Sequence, residues 1–228
     1  MKKIILTAIL IIACGVMHAQ QYSTFWYQRA TLFEELGTSS KDIVFLGNSI
    51  TNGCEWSELF GDARVKNRGI SGDTAQGVLD RIDAIVNGHP AKIFLMIGTN
   101  DLSQGYTVEQ IVSNITAIVE RVQSESPETR LYVQSVLPVN DCYGRFAGHT
   151  CKGPEIVEVN SRLKTLCEQR GCTYIDLHTP FADSEGKLST EYSNDGLHLT
   201  GKGYILWRNI VKPYVCGKVR GCKKTKHR

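Results

Sequence analysis

The stretch Ile43-Val44-Phe45-Leu46-Gly47-Asn48-Ser49-Ile50 decides the fold. Its apolar side chains run without alternation and stop at a glycine, an amide and a hydroxyl. A strand with one face in water alternates apolar and polar residues, whereas a parallel strand covered on both faces reads as an unbroken apolar run. Ile93-Phe94-Leu95-Met96-Ile97 has the same character and runs into Gly98-Thr99-Asn100-Asp101. Further strands are expected at 131–137, at 173–177 and, with a fainter pattern, from Arg64 to Asn67.

Between these runs the apolar period lengthens to that of a helix. Val78, Ile82, Ile85 and Val86 mark one helix, and Ile156, Val159, Leu163 and Leu166 another. Val108, Ile111, Val112, Ile115, Ile118, Val119 and Val122 mark a third, entered through Thr107 with Glu109 and Gln110 in its first turn. A last helix is expected from about Thr200 to Val211, stopping before Pro213. Strand and helix alternate throughout, which predicts an α/β sandwich around a mostly parallel sheet. The only long irregular connection runs from Pro138 to Pro154, and connections of that length often flank a functional site.

Lys2 and Lys3, the apolar run Ile4 to Val16 and Met17-His18-Ala19 read as a signal peptide cut before Gln20. The apolar run is shorter than the ~20 residues that span a bilayer. Ile11-Ile12-Ala13-Cys14 also fits a lipobox, which would leave Cys14 as a lipid-modified N-terminus. The expected organisation is therefore a signal peptide at 1–19, one domain at 20–216 and a basic tail at 217–228. The chain is expected to be exported to the periplasm or beyond, with lipid anchoring at Cys14 as the alternative.

Without residues 1–19 the chain carries 24 Lys and Arg against 23 Asp and Glu. Six of those bases lie in the last eleven residues, so the body holds 18 against 23, a net charge of −5. The basic character belongs to the tail, which argues against a nucleic-acid-binding face. Seven cysteines remain, and in an exported chain sequence proximity suggests Cys142–Cys151, Cys167–Cys172 and Cys216–Cys222, with Cys54 left over. No spacing is C-x-x-C and no histidine pair accompanies them, so a structural metal is not expected.

In an open parallel sheet, ligands bind at the carboxyl ends of the strands. Ser49, Gly72, Asn100, and the pair Asp195 and His198 each follow a strand, so all of them gather on one rim. A carboxylate three residues before a histidine can hold the imidazole from its own turn. The other ring nitrogen is then free to take a proton from a serine hydroxyl. Trp56 and Glu55 are candidates for a pocket wall, with packing the favoured role for Trp56. Cys54 reads as a spare or buried thiol, Asp73 and Asp101 as loop anchors, His89 as structural and His149 as solvent-facing.

Four blocks carry a resemblance: Gly47-Asn48-Ser49-Ile50, Asn67-Arg68-Gly69-Ile70-Ser71-Gly72-Asp73-Thr74, Gly98-Thr99-Asn100-Asp101 and Asp195-Gly196-Leu197-His198-Leu199-Thr200. In this order they resemble the SGNH, or GDSL, hydrolase superfamily over about residues 40 to 212. The wording is closest to the branch of platelet-activating-factor acetylhydrolase catalytic subunits and bacterial carbohydrate O-acetylesterases. Asn48 departs from the family pattern, which has Asp there. The resemblance implies a flavodoxin-like three-layer α/β/α sandwich with a mostly parallel five-stranded sheet. It also implies Ser49 as nucleophile, His198 as general base and Asp195 as its orienting group. The backbone N–H groups of Ser49 and Gly72 and the Asn100 amide would form the oxyanion hole.

The expected function is a secreted esterase that removes short acyl groups, acetyl above all, from carbohydrates. It would use a small-molecule or glycan ester, no cofactor, no nucleic acid, and a membrane only through a lipidated Cys14; a monomer is assumed. A lipase, lysophospholipase or thioesterase is the alternative within the fold. A non-catalytic glycan-binding surface protein is the alternative outside it.

Overall fold

The computed structural model describes residues 21–217, so the expected signal peptide, Cys14, Cys222 and nearly all of the basic tail lie outside the described residues. The chain runs α1 (Thr24–Leu36), β1 (Ile43–Gly47), α2 (Ser49–Asn52), α3 (Trp56–Phe60), β2 (Val65–Gly69), α4 (Ala75–Asp80), α5 (Asp83–Val86) and β3 (Lys92–Met96). It continues through α6 (Thr99–Ser103), α7 (Val108–Glu125), β4 (Arg130–Gln134), a 3-10 turn at Asp141–Tyr143, α8 (Ala147–Thr150) and α9 (Gly153–Arg170). β5 (Thr173–Ile175), α10 (His178–Phe181) and α11 (Gly201–Cys216) complete it.

The five strands order as β2-β1-β3-β4-β5, and every pairing is parallel. Alternate side chains of β1 go to opposite faces, as the two-residue period of a strand requires. Val44 and Leu46 pack with α4, α5, α7 and α9, and Ile43 and Phe45 with α3, α10 and α11. The result is the expected three-layer sandwich. On the α11 side, Phe45, Phe94 and Tyr132 sit on adjacent strands in register and stack at centroid distances of 4.9 and 4.5 Å. Trp56 stacks on Phe45 at 3.9 Å and is almost wholly buried, so its role is packing.

Several boundaries differ from the sequence reading, each for a physical reason. The helix marked by Val78 to Val86 is two short helices, α4 and α5. The chain tightens between them, with Arg81 N–H donating to the Val78 carbonyl and Ile82 N–H to that of Leu79. The strand at 131–137 leaves the ladder after Gln134. The Ser135 hydroxyl accepts from the N–H groups of Leu177 and His178, and the Asn160 amide brackets the backbone of Val136.

The last helix does not stop at Pro213 but continues to Cys216. Val211 and Val215 are buried beyond the expected end, and the Lys92 ammonium donates to the carbonyls of Tyr214, Val215 and Gly217. Those carbonyls have no partner within the helix, and a cation there also meets the negative end of its dipole. Helix α1 has no counterpart in the sequence reading. It packs Trp26, Ala30 and Phe33 against Ile70.

The six described cysteines are free thiols, so neither Cys142–Cys151 nor Cys167–Cys172 is bridged. Cys142 and Cys151 are exposed on the 138–154 connection, whereas Cys167 is buried and Cys172 half-buried.

Candidate active site

Ser49 opens α2 directly after β1. Asn48 caps that short helix by accepting from the Ile50 N–H at 3.0 Å, a job an amide oxygen does as well as a carboxylate. The elbow is tight because α2 lies against the end of β2, where a Cβ on Gly69 would collide with the Asn52 backbone. Ser49 is half-buried, and its Oγ lies 3.1 Å from His198 Nε2.

His198 and Asp195 share the turn that precedes α11. Asp195 Oδ2 meets His198 Nδ1 at 2.8 Å, while Oδ1 accepts from the N–H groups of Leu197 and His198 at 2.9 and 2.7 Å. Partial burial pushes the Asp195 carboxyl upward, but these donors outweigh it and hold the group below its usual range. An ionised carboxylate only accepts, so Nδ1 carries the imidazole proton and Nε2 presents its lone pair to the Ser49 hydroxyl. That is the tautomer a general base needs.

Two further loops follow strands on the same rim. Ser71-Gly72-Asp73-Thr74 follows β2, and Thr74 caps α4 by accepting from Gly77 N–H. Gly72 takes a left-handed φ of 80°. Its N–H and that of Ser49, at the first position of α2, have no acceptor among the described residues. Asn100, on α6 after β3, is buried. Its Nδ2 donates to the Asp73 carbonyl at 2.8 Å, and its Oδ1 faces His149 Nε2 at 3.0 Å.

Asp73 and Asp101 hold these loops, as expected. Asp73 accepts from Trp26 Nε1 and pairs with Arg81, and Asp101 accepts from Ala75 N–H at the start of α4. The buried Cys54 has its thiol pushed up to about 12, first by burial and then by Glu55, so it is no rival nucleophile.

His149 does not face solvent, contrary to the sequence reading. It is half-buried against Asn100, and burial, with the nearby His198 adding to it, pushes its pKa down. Phe146, just before α8, adopts a left-handed φ of 52° and sets its ring edge-on to His198 at 5.1 Å. Neither residue carries a periodic or motif signal in the sequence. A cavity of about 280 Å³ lies beside Gly72, its walls including Tyr22, Ser71, Gln76, Gln104 and Tyr106.

Residues 45–206 match the model of the GDSL-like Lipase/Acylhydrolase family. The chain is 30% identical over 169 residues to the Bos taurus platelet-activating factor acetylhydrolase IB subunit alpha1, covering 72% of this chain and 70% of that protein. It is 29% identical over 178 residues to the Homo sapiens alpha2 subunit, covering 75% and 73%. Among solved structures, a GDSL-like lipase from Bacteroides thetaiotaomicron superposes with a TM-score of 0.73 at 25% identity, covering 83% of this chain and 96% of that one.

Proposed function

Since the chain belongs to the GDSL-like lipase/acylhydrolase family and is thereby an ester-hydrolysing enzyme, we propose that it is a serine esterase for short acyl groups on hydroxyl-rich alcohols, O-acetylated carbohydrates in particular. One observation carries the reading: an unbroken hydroxyl–imidazole–carboxylate chain, Ser49 to His198 to Asp195, at 3.1 and 2.8 Å.

In this reading Ser49 Oγ attacks the ester carbonyl as its proton passes to His198 Nε2. The N–H groups of Ser49 and Gly72 and the Asn100 amide receive the oxyanion. The imidazolium then protonates the departing alcohol, leaving an acyl group on Ser49. Water, deprotonated by the same imidazole, releases the acid and restores the serine. Asp195 keeps the ring in the productive tautomer and stabilises the imidazolium.

The cavity beside Gly72 supports a polar alcohol partner over a long acyl chain, because amide and hydroxyl groups line it together with the Tyr22 and Tyr106 rings. Residues 1–19 would direct the enzyme out of the cytoplasm, with lipid attachment at Cys14 as the variant route.

The test compares wild type with Ser49→Ala for acetate release from p-nitrophenyl acetate and from a panel of acetylated glycans. Hydrolysis that disappears in the variant supports the reading, and glycan preference identifies the alcohol. Equal rates in both proteins would remove Ser49 from the mechanism.

A further inference from the structure

The 138–154 connection makes two separate attachments to the proposed machinery. Near its start, Asn140 N–H donates to the Gly196 carbonyl at 2.9 Å, and the Tyr143 hydroxyl donates to the Ser193 carbonyl at 2.9 Å. Both bonds hold the turn that carries Asp195 and His198. Near its end, α8 delivers His149 to Asn100, on the helix that follows β3. Phe146 lies between the two imidazoles, edge-on to His198 at 5.1 Å and to His149 at 6.1 Å.

The hydrogen bonds around Asn100 decide which way its amide faces. The Asp73 carbonyl can only accept, so the atom 2.8 Å from it is Nδ2. The other amide atom is then Oδ1, an acceptor, so His149 Nε2 must carry a hydrogen and donate to it at 3.0 Å. Turning the amide over would set two acceptors together at Asp73 and two donors together at His149. The pair of bonds therefore locks the amide. The second Nδ2 hydrogen, which Asp73 does not use, is the one an oxyanion can receive.

We propose that His149 is a positioning residue for ester hydrolysis: its Nε2–H holds the Asn100 side chain in the orientation that presents an N–H to the oxyanion. This rests on the assignment of Asn100 as an oxyanion donor. With His149 gone, Oδ1 loses its partner and the amide is held through the single bond to Asp73. Preorganisation of the donor is lost while the alcohol side of the substrate keeps its contacts, so the loss falls on kcat and not on KM.

A double-mutant cycle on p-nitrophenyl acetate tests this with wild type, His149→Ala, Asn100→Ala and the double variant. Complete loss of one oxyanion donor costs on the order of 10²–10³ in kcat, so weakened control of that donor is expected to cost roughly tenfold, with KM within about twofold. In the Asn100→Ala background the same His149 substitution is expected to cost less than about twofold. His149→Gln, which returns an N–H donor, is expected to recover most of the lost rate. His149→Leu, which fills the space without a donor, is not.

Thermal melting checks that each protein is folded, and the Gln and Leu variants decide the question if the alanine variant does not fold. Equal losses in both backgrounds, or a rate restored as well by Leu as by Gln, would overturn the proposal while leaving the esterase reading intact. An inactive wild type would overturn both.

Discussion

The guanidinium of Arg81 reaches the carboxylate of Asp73 at 2.8 Å, with both side chains essentially out of water. Burial pushes Asp73 up and Arg81 down, and the pairing opposes both shifts. The same Asp73 offers its carbonyl to Asn100, so the ion pair sits directly behind the proposed oxyanion loops.

Arg81→Ala would leave Asp73 buried without its partner. Breaking a buried pair from one side costs roughly 3–5 kcal/mol. Urea unfolding near neutral pH is expected to show a loss of that size, with kcat falling as the Asp73 loop relaxes. A loss below about 1 kcal/mol would mean that Asp73 finds compensation elsewhere.

Asp195→Asn keeps the shape of the Asp195–His198 turn but gives Nδ1 of His198 a neutral partner. The expected fall in kcat is about 10⁴, with KM little changed. In the wild type the carboxyl is held below its ordinary range, so its contribution is present at neutral pH and lost only as pH falls through that lowered value. Steady-state kinetics of the variant check this; a loss below about tenfold would remove Asp195 from the role assigned to it.

Asp101 runs the other way. Burial pushes it up to about 6, against the opposing N–H of Ala75. A carboxyl whose folded pKa exceeds its unfolded value of roughly 3.9 binds its proton more tightly when folded. Stability should therefore fall as pH rises from about 4 to 6, by on the order of 3 kcal/mol from this group, and stay reduced above that. Asp101→Asn retains an oxygen for Ala75 N–H and cannot ionise. Its melting temperature is expected to lose this slope and, near pH 8, to match or exceed that of the wild type. An unchanged slope would assign the pH dependence to other groups.

Gly196 has a φ of 84°, and a Cβ there would strike the Asn140 carbonyl oxygen. Gly196→Ala must then both strain the backbone and push the 138–154 connection off the Asp195–His198 turn. A loss of roughly 1–3 kcal/mol is expected, with activity reduced in step. Melting curves and p-nitrophenyl acetate kinetics check it. An alanine variant with wild-type stability would show that the loop has another seat.

The sheet and the rim were legible because both write local signals. Val44, Phe45 and Leu46 are apolar in succession since both faces of β1 are covered. Ser49, Gly72, Asn100, Asp195 and His198 follow strands, and strand ends share one edge. What escaped depends on contacts distant in sequence. His149 lies in a polar loop with no period, and its burial arises only when that loop returns onto α6. Pro213 ends a helix on local grounds, but Lys92, over a hundred residues earlier, supplies the donors that let α11 continue. The apolar period from Val78 to Val86 is divided at Arg81, which caps α4 and pairs with Asp73, eight residues earlier.

The separation of Ser49 from His198 by 149 residues also bears on timing. At about 5–20 residues per second of synthesis, Ser49 precedes its proposed base by roughly 7–30 s. Throughout that interval Ser49 is an ordinary alcohol beside a half-built sheet. The Asp195–His198 turn follows β5, the last strand among the described residues, so in the proposed mechanism Ser49 has no base until all five strands of the sheet have been made.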